Sequence, residues 1–131
     1  MKNENGRRRL ALVIEDEPLI AHVCQRTLIR EGFDVDVAGS GQIAMRMADR
    51  EPYDLYVADI RTPDMNGIAF YRHIEKTHPE SRGRVIFTTG DVLSNDVRDF
   101  LKETNQGFLP KPFTPSELRK VVFATVGTEV V

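Results

Sequence analysis

The chain is predicted to be an α/β protein, an open doubly wound (βα)5 unit with a parallel sheet in the order 2-1-3-4-5. Three observations carry this reading. Strand-like and helix-like hydrophobic periods alternate five times, with no linker, charge run or low-complexity segment between them. The first strand-like run, Leu10-Ala11-Leu12-Val13-Ile14, is apolar without alternation, as a central parallel strand covered on both faces requires. Pro110 falls in the last strand-like run, where a missing N–H donor is tolerated at a sheet edge. Right-handed crossovers then place helices on both faces, with strands one and three as neighbours at the switch point.

Each element has its own signal. After strand one, Pro18 marks a helix start, and Leu19, Ile20, Val23, Cys24 and Leu28 recur at helical spacing up to a stop near Gly32. Phe33, Val35 and Val37 alternate with Asp34 and Asp36, which predicts a half-exposed second strand. Gly39-Ser40-Gly41 turns into a helix with Ile43, Ala44, Met47 and Ala48 on one face. Residues Asp54 to Ala58 form strand three, ending at Asp59, and the turn-rich loop Ile60 to Gly67 leads to a helix through Ile68, Tyr71 and Ile74. Gly67 is read there as supplying backbone freedom. Strand four is Arg84 to Thr89, and Ser94 is expected to cap the helix carrying Val97, Phe100 and Leu101. Phe108 and Leu109 make a short fifth strand. Thr114-Pro115-Ser116-Glu117 is a capping box opening the last helix, which buries Leu118, Val121, Val122 and Thr125.

With 131 residues the chain makes one domain at 10–127, preceded by a polar lead at 1–9 and followed by a tail at 128–131. Residues Met1 to Gly6 are expected to be disordered, and Arg7, Arg8 and Arg9 to be solvated. The net charge of −2 gives no general attraction to nucleic acid or anionic lipid. One cysteine, Cys24, excludes an internal disulfide and reads as a buried thiol in a reducing cytoplasm. The run Leu10 to Ile14 is too short for a signal-peptide core or a membrane span, so neither secretion nor insertion is expected.

Chemistry concentrates where the strands end. Glu15-Asp16, Asp59, Thr88-Thr89-Gly90 and Lys111-Pro112 each follow a strand-like run, and in an open parallel sheet those ends converge on the ligand crevice. Two charges roughly 4 Å apart repel by about 4 kcal/mol at an effective dielectric near 20, so three carboxylates need a cation or must take up protons. Oxygen ligands in a sparse set favour Mg2+, completed by water and phosphate oxygens. Asp59, alone before a loop, is the best-placed nucleophile, since a carboxylate can accept a phosphoryl group. Glu15 and Asp16 suit the ion. Thr89 can donate a hydroxyl to a phosphoryl oxygen, Lys111 can pair with another, and Gly90 leaves room for approach. Glu17 is read as a helix N-terminal acid. His22, His73 and His78 show no ligand spacing and are read as surface or helix-face residues.

At these residues the chain resembles the receiver domain of two-component response regulators. The resemblance runs from about Leu10 to Val126: the acidic pair after strand one, Asp59 followed by Pro63 and Gly67, Thr89-Gly90, and Lys111-Pro112-Phe113. It implies a flavodoxin-like sandwich in which Asp59 takes a phosphoryl group from a phosphohistidine on a histidine kinase or histidine phosphotransfer protein. It also implies Mg2+ held by Glu15, Asp16, Asp59 and the main-chain carbonyl of Arg61, with a cis peptide before Pro112. Thr89 and Phe108 would form a switch that reshapes the face of helix four, strand five and helix five. The domain would be a phosphoacceptor that promotes its own phosphorylation and dephosphorylation, and no separate enzyme. Its effector and any homodimer are left open.

The chain departs from that pattern in places. Glu15 stands where an aspartate is usual, Phe108 lacks a hydroxyl, and Thr104-Asn105-Gln106 replaces small residues. Arg61 and Asp91 are expected to pair across the site mouth. A haloacid-dehalogenase-type phosphatase would need an acid at Arg61, and a flavodoxin-like electron carrier would need phosphate donors where Glu15-Asp16-Glu17 stands. The remaining alternative is a receiver-fold interaction module that signals without phosphorylation. A DNA-reading output domain would need more chain than Thr128 to Val131, so a stand-alone or excised receiver is expected, and the segment Thr88 to Phe113 also resembles receivers fused to hybrid sensor kinases.

Overall fold

A computed structural model describes Gly6 and residues 8–61, 66–90 and 94–127. The lead and tail expected outside the domain, the loop residues 62–65 and Asp91 therefore lie, wholly or largely, outside the described residues. Five strands, β1 (Leu10–Ile14), β2 (Asp34–Ala38), β3 (Leu55–Asp59), β4 (Val85–Thr89) and β5 (Gly107–Pro110), form one sheet in the order β2-β1-β3-β4-β5. All four pairings are parallel, as the sequence predicts. Between and after them run α1 (Pro18–Arg30), α2 (Gly41–Arg50), α3 (Gly67–Thr77), α4 (Asn95–Thr104) and α5 (Pro115–Val126), and a 3₁₀ turn at Pro79–Ser81 leads into β4.

Period-2 geometry splits the central strands between two cores. Leu12, Ile14, Tyr56, Ala58, Val85 and Phe87 face α2, α3 and α4, meeting Ala44, Ala48, Phe70, Tyr71, Ile74, Val97 and Phe100. Ala11, Val13, Leu55, Val57, Ile86 and Leu109 face α1 and α5, meeting Cys24, Leu28, Leu118 and Val122. Both faces of β1 and β3 are thus closed. Cys24 is buried, and desolvation pushes its thiol up to about 12, which leaves it unreactive at neutral pH. Pro110 sits on the edge strand, bonded to β4 alone.

Local signals set most of the boundaries. Ser40 and Asn66 accept from the N–H groups of Ile43 and Ala69 as N-caps, and both halves of the Thr114 and Glu117 capping box are present. Gly32, with φ of 97°, ends α1 in a conformation that a β-carbon disfavours. Ser94 holds the N-cap position of α4, but its hydroxyl bonds Asp96 and not a backbone N–H. Three apolar residues assigned to buried faces point outward: Leu19 is 81% exposed, Ile43 45% and Val23 36%. Periodicity marks an apolar residue but not which side of a helix finds a partner.

Gly67 is needed for close approach and not for an unusual backbone angle. It opens α3, where its N–H bonds the carbonyl of Ile60, and a β-carbon there would lie 2.8 Å from both Asp59 O and Ile60 Cα. These are main-chain atoms and cannot swing aside. Gly67→Ala is expected to destabilise the fold by about 1–3 kcal/mol even after its gain in helix propensity, read as a lower urea midpoint.

Candidate functional site

Register carries the acids together. Ile14 pairs with Ala58, so Glu15 and Asp59 leave adjacent strands side by side, and Asp59 itself pairs with Thr88. On the other side Thr89 pairs with Pro110, and Thr89 O accepts from Lys111 N at 2.9 Å, so β5 delivers Lys111 to the same end of the sheet. Glu15, Asp16 and Asp59 each offer a carboxylate oxygen within 4.8 Å of the others. Glu15 and Asp59 are buried, whereas Asp16 is exposed.

Lys111 lies between the buried pair. Its Nζ is 2.9 Å from Glu15 Oε1 and 2.8 Å from Asp59 Oδ2, and the Lys111–Pro112 peptide that sets its backbone is cis. The remaining oxygens are also satisfied: Glu15 Oε2 accepts from Glu17 N at 3.1 Å, and Asp59 Oδ1 accepts from Arg61 N at 3.0 Å. Thr89 is buried beside this cluster at the end of β4, while among the described residues nothing beyond its chain neighbours stands within 4 Å of where a β-carbon on Gly90 would be.

One ammonium cannot neutralise three carboxylates. Burial raises the pKa of Glu15 more than its hydrogen bond from Lys111 lowers it. Burial opposes the charge on Lys111, yet hydrogen bonds to Asp59 and Glu15 outweigh it and hold the ammonium well above the ordinary lysine range. Burial thus makes Glu15 retain its proton, with the nearby Asp59 charge a smaller contribution, while the two carboxylates hold the Lys111 cation. A dication fits this donor set: hard carboxylate oxygens, two of them buried and fixed, one open to solvent. Glu15 also gives a pH dependence. Its raised folded-state pKa means that its stabilising contribution is full below about pH 4.5, the ordinary value, and is lost as pH rises through the folded value. In chelator, the urea midpoint is expected to fall across that window, and Glu15→Gln should flatten that part of the fall.

Two features were missed by sequence reasoning. Glu17 Oε1 lies 3.7 Å from Lys111 Nζ, which makes this residue part of the rim as well as a helix N-terminal acid. Beside it Leu19, Ile20, Val23, Pro112 and Phe113 line an apolar groove of about 400 Å³ that also touches Lys111. The signal was the spacing of Leu19 and Val23, four apart on a face other than that of Cys24 and Leu28. The expected partner of Arg61, Asp91, lies outside the described residues; the guanidinium stands 3.8 Å from Asp96 Oδ1, with both side chains largely exposed. Phe108 is half-buried, packed against the core on the α4 side of the sheet.

Sheet order and acidic crevice define a doubly wound α/β domain with a cluster of carboxylates at the switch point between β1 and β3. The chain belongs to the response regulator receiver domain family, whose model matches residues 11–123. It is 32% identical over 115 residues to response regulator protein PilR of Pseudomonas aeruginosa, covering 88% of this chain and 25% of that protein. To the probable transcriptional regulator ycf29 of Pyropia yezoensis it is 29% identical over 119 residues, 91% of this chain and 54% of the relative. The chain thus spans about half or less of these curated relatives. Among solved structures, the receiver domain of sensor histidine kinase PA1611 from P. aeruginosa, with a magnesium ion coordinated in its active site cleft, superposes with a TM-score of 0.80 at 28% identity, covering 92% of this chain and 99% of that one. The fold is the flavodoxin-like one of two-component receivers. No helix among the described residues is long and apolar enough to cross a membrane.

Proposed function

We propose that the chain is a Mg2+-dependent phosphoacceptor in which Asp59 receives a phosphoryl group from a phosphohistidine on a histidine kinase or histidine phosphotransfer protein. The observation that carries this reading is the cluster itself: a buried carboxylate at a strand end, held from two sides by Lys111 Nζ at 2.8 Å and Arg61 N at 3.0 Å, with two further acids within reach of a shared ion. Glu15, Asp16, Asp59 and the Arg61 carbonyl would hold Mg2+, which when bound neutralises phosphoryl oxygens. In the transfer, the phosphorus–nitrogen bond of the donor imidazole breaks as a phosphorus–oxygen bond to Asp59 forms. Lys111 exchanges its contact with Asp59 for a phosphoryl oxygen, and Thr89 donates its hydroxyl to another. The open space at Gly90 admits the group. The apolar groove at Leu19, Val23 and Phe113, which touches Lys111, suits a helix of the donor protein lying beside the acids.

Added charge at Asp59 would draw Thr89 inward and free space for the Phe108 ring, altering the face formed by α4, β5 and α5. With no hydroxyl, Phe108 reports by packing alone. The cytoplasm, where such donors work, is the proposed location. The competing reading, an interaction module that needs no phosphate, separates cleanly: beryllofluoride, a phosphoryl mimic, is expected to bind the full chain only with Mg2+, followed by fluorine NMR. Absence of binding with Mg2+ present would favour the interaction module.

A further inference from the structure

We propose that the face shared by α1 and α5 docks an acidic helix of the phosphodonor, so that the chain selects partners carrying carboxylates two to three turns away from the phosphohistidine. The proposal rests on the reading of Asp59 as acceptor and of the groove at Leu19, Val23 and Phe113 as the seat of the donor. One stripe of α1 carries it. Leu19, Val23, Arg26 and Arg30 stand at i, i+4, i+7 and i+11, on one side of the helix, apolar near Lys111 and basic further along. Val23 lines both the groove at Lys111 and a second groove of about 230 Å³ between α1 and α5, so the two meet there.

Charge decides what the second groove can take. Among the described residues His22, Arg26, Arg30 and Arg119 line it, and no carboxylate does. None of these three guanidiniums has an ion-pair or hydrogen-bond partner among the described residues, whereas Arg8, Arg61, Arg72, Arg82 and Arg84 all pair with acids. The acids nearest in the chain do not answer them. Glu117 turns its carboxylate back to accept from Thr114 N at 2.8 Å in the capping box, and Glu31 follows the end of α1, outside the lining. Unpaired cations on neighbouring helices repel one another, and an anionic partner relieves that repulsion.

The same face supplies apolar contact as well as charge. Phe123, one turn beyond Arg119 on α5, is 56% exposed, and Ile29, one turn beyond Arg26 on α1, is 50% exposed. Aromatic residues and arginine are the types enriched where proteins dock. Spacing then defines the partner. Arg26 and Arg30 lie about 10 and 16 Å along α1 from Leu19, so a donor helix with its apolar contact at Leu19 and Val23 meets the basic end two to three turns later. Glutamate or aspartate there is favoured, and lysine or arginine there is rejected by like charge.

The test is phosphotransfer to the full chain from a panel of purified, phosphorylated histidine kinases and histidine phosphotransfer proteins of the source organism, with acetyl phosphate as a donor that needs no docking. For the fastest protein donor, Arg26→Glu/Arg30→Glu/Arg119→Glu is expected to lower kcat/KM at least about tenfold, through KM, and to remove the salt sensitivity that transfer to the parent shows. Labelling by acetyl phosphate should stay within about twofold of the parent, which shows that the triple variant folds and keeps its acceptor site. Changing that donor's carboxylates two to three turns from its histidine to lysine should restore transfer to the triple variant. Equal transfer from every protein donor to the parent and the triple variant would overturn the proposal, as would a panel in which none labels the parent. So would sedimentation of the parent, but not of the triple variant, with phosphatidylserine vesicles, which would assign the face to a lipid surface. Were acetyl phosphate to leave the parent unlabelled, the acceptor role of Asp59 itself would fail, and not only the docking of an acidic helix.

Discussion

Asp59→Asn is expected to abolish phosphoryl uptake from acetyl phosphate and Mg2+, a loss of at least about 10³-fold measured as phosphoprotein by intact-mass spectrometry. The amide keeps the size of the carboxylate and one of its two accepting oxygens, which can still accept from Arg61 N or Lys111 Nζ, so the strand end should keep its shape. What it loses is the anionic oxygen that attacks phosphorus. It also removes one of two buried negative charges beside Lys111, so the unphosphorylated variant should be at least as stable as the parent in chelator. Undiminished labelling of Asp59→Asn would place the acceptor elsewhere and remove Asp59 from the role proposed for it.

Sequence position predicts the meeting of Glu15 and Asp59 because the inference needs only strand order, and strand order follows from the continuous apolar runs and from Pro110 at the edge. Once β1 and β3 are neighbours in register, residues that follow Ile14 and Ala58 have to lie side by side. Lys111 is reached by the same logic through β4 and β5. Contacts that depend on side-chain reach across helices were not legible. The outward direction of Leu19 and Val23 depends on how α1 rolls on the sheet, which is set by the depth at which Cys24 and Leu28 pack. The role of Gly67 was misread because a turn-rich neighbourhood suggests conformational freedom, whereas the constraint is the approach of α3 to the main chain at Asp59 and Ile60. That approach couples the start of α3 to the strand end carrying the proposed phosphoacceptor.

Lys111→Met should separate stability, metal binding and transfer, because the ammonium contributes to each with a different sign. In chelator the variant leaves Glu15 and Asp59, both about 95% buried, without their shared cation, and breaking such a pairing costs about 3–5 kcal/mol. The loss should shrink as pH falls, since Glu15, whose pKa burial already raises, can then take up a proton in place of the missing charge. It should shrink also with Mg2+, which supplies positive charge to the same carboxylates. Removing a positive charge beside the acids is expected to tighten Mg2+ binding relative to the parent, while phosphoryl uptake falls by about 10²–10³-fold because no cation meets the transferred oxygens from the β5 side. Urea midpoints with and without Mg2+, a Mg2+ titration and the labelling assay read these effects separately. A variant that binds Mg2+ more weakly than the parent would mean that Lys111 holds the acids in a ligating arrangement and does not compete with the ion, and the account of the site as a surplus of negative charge would fail.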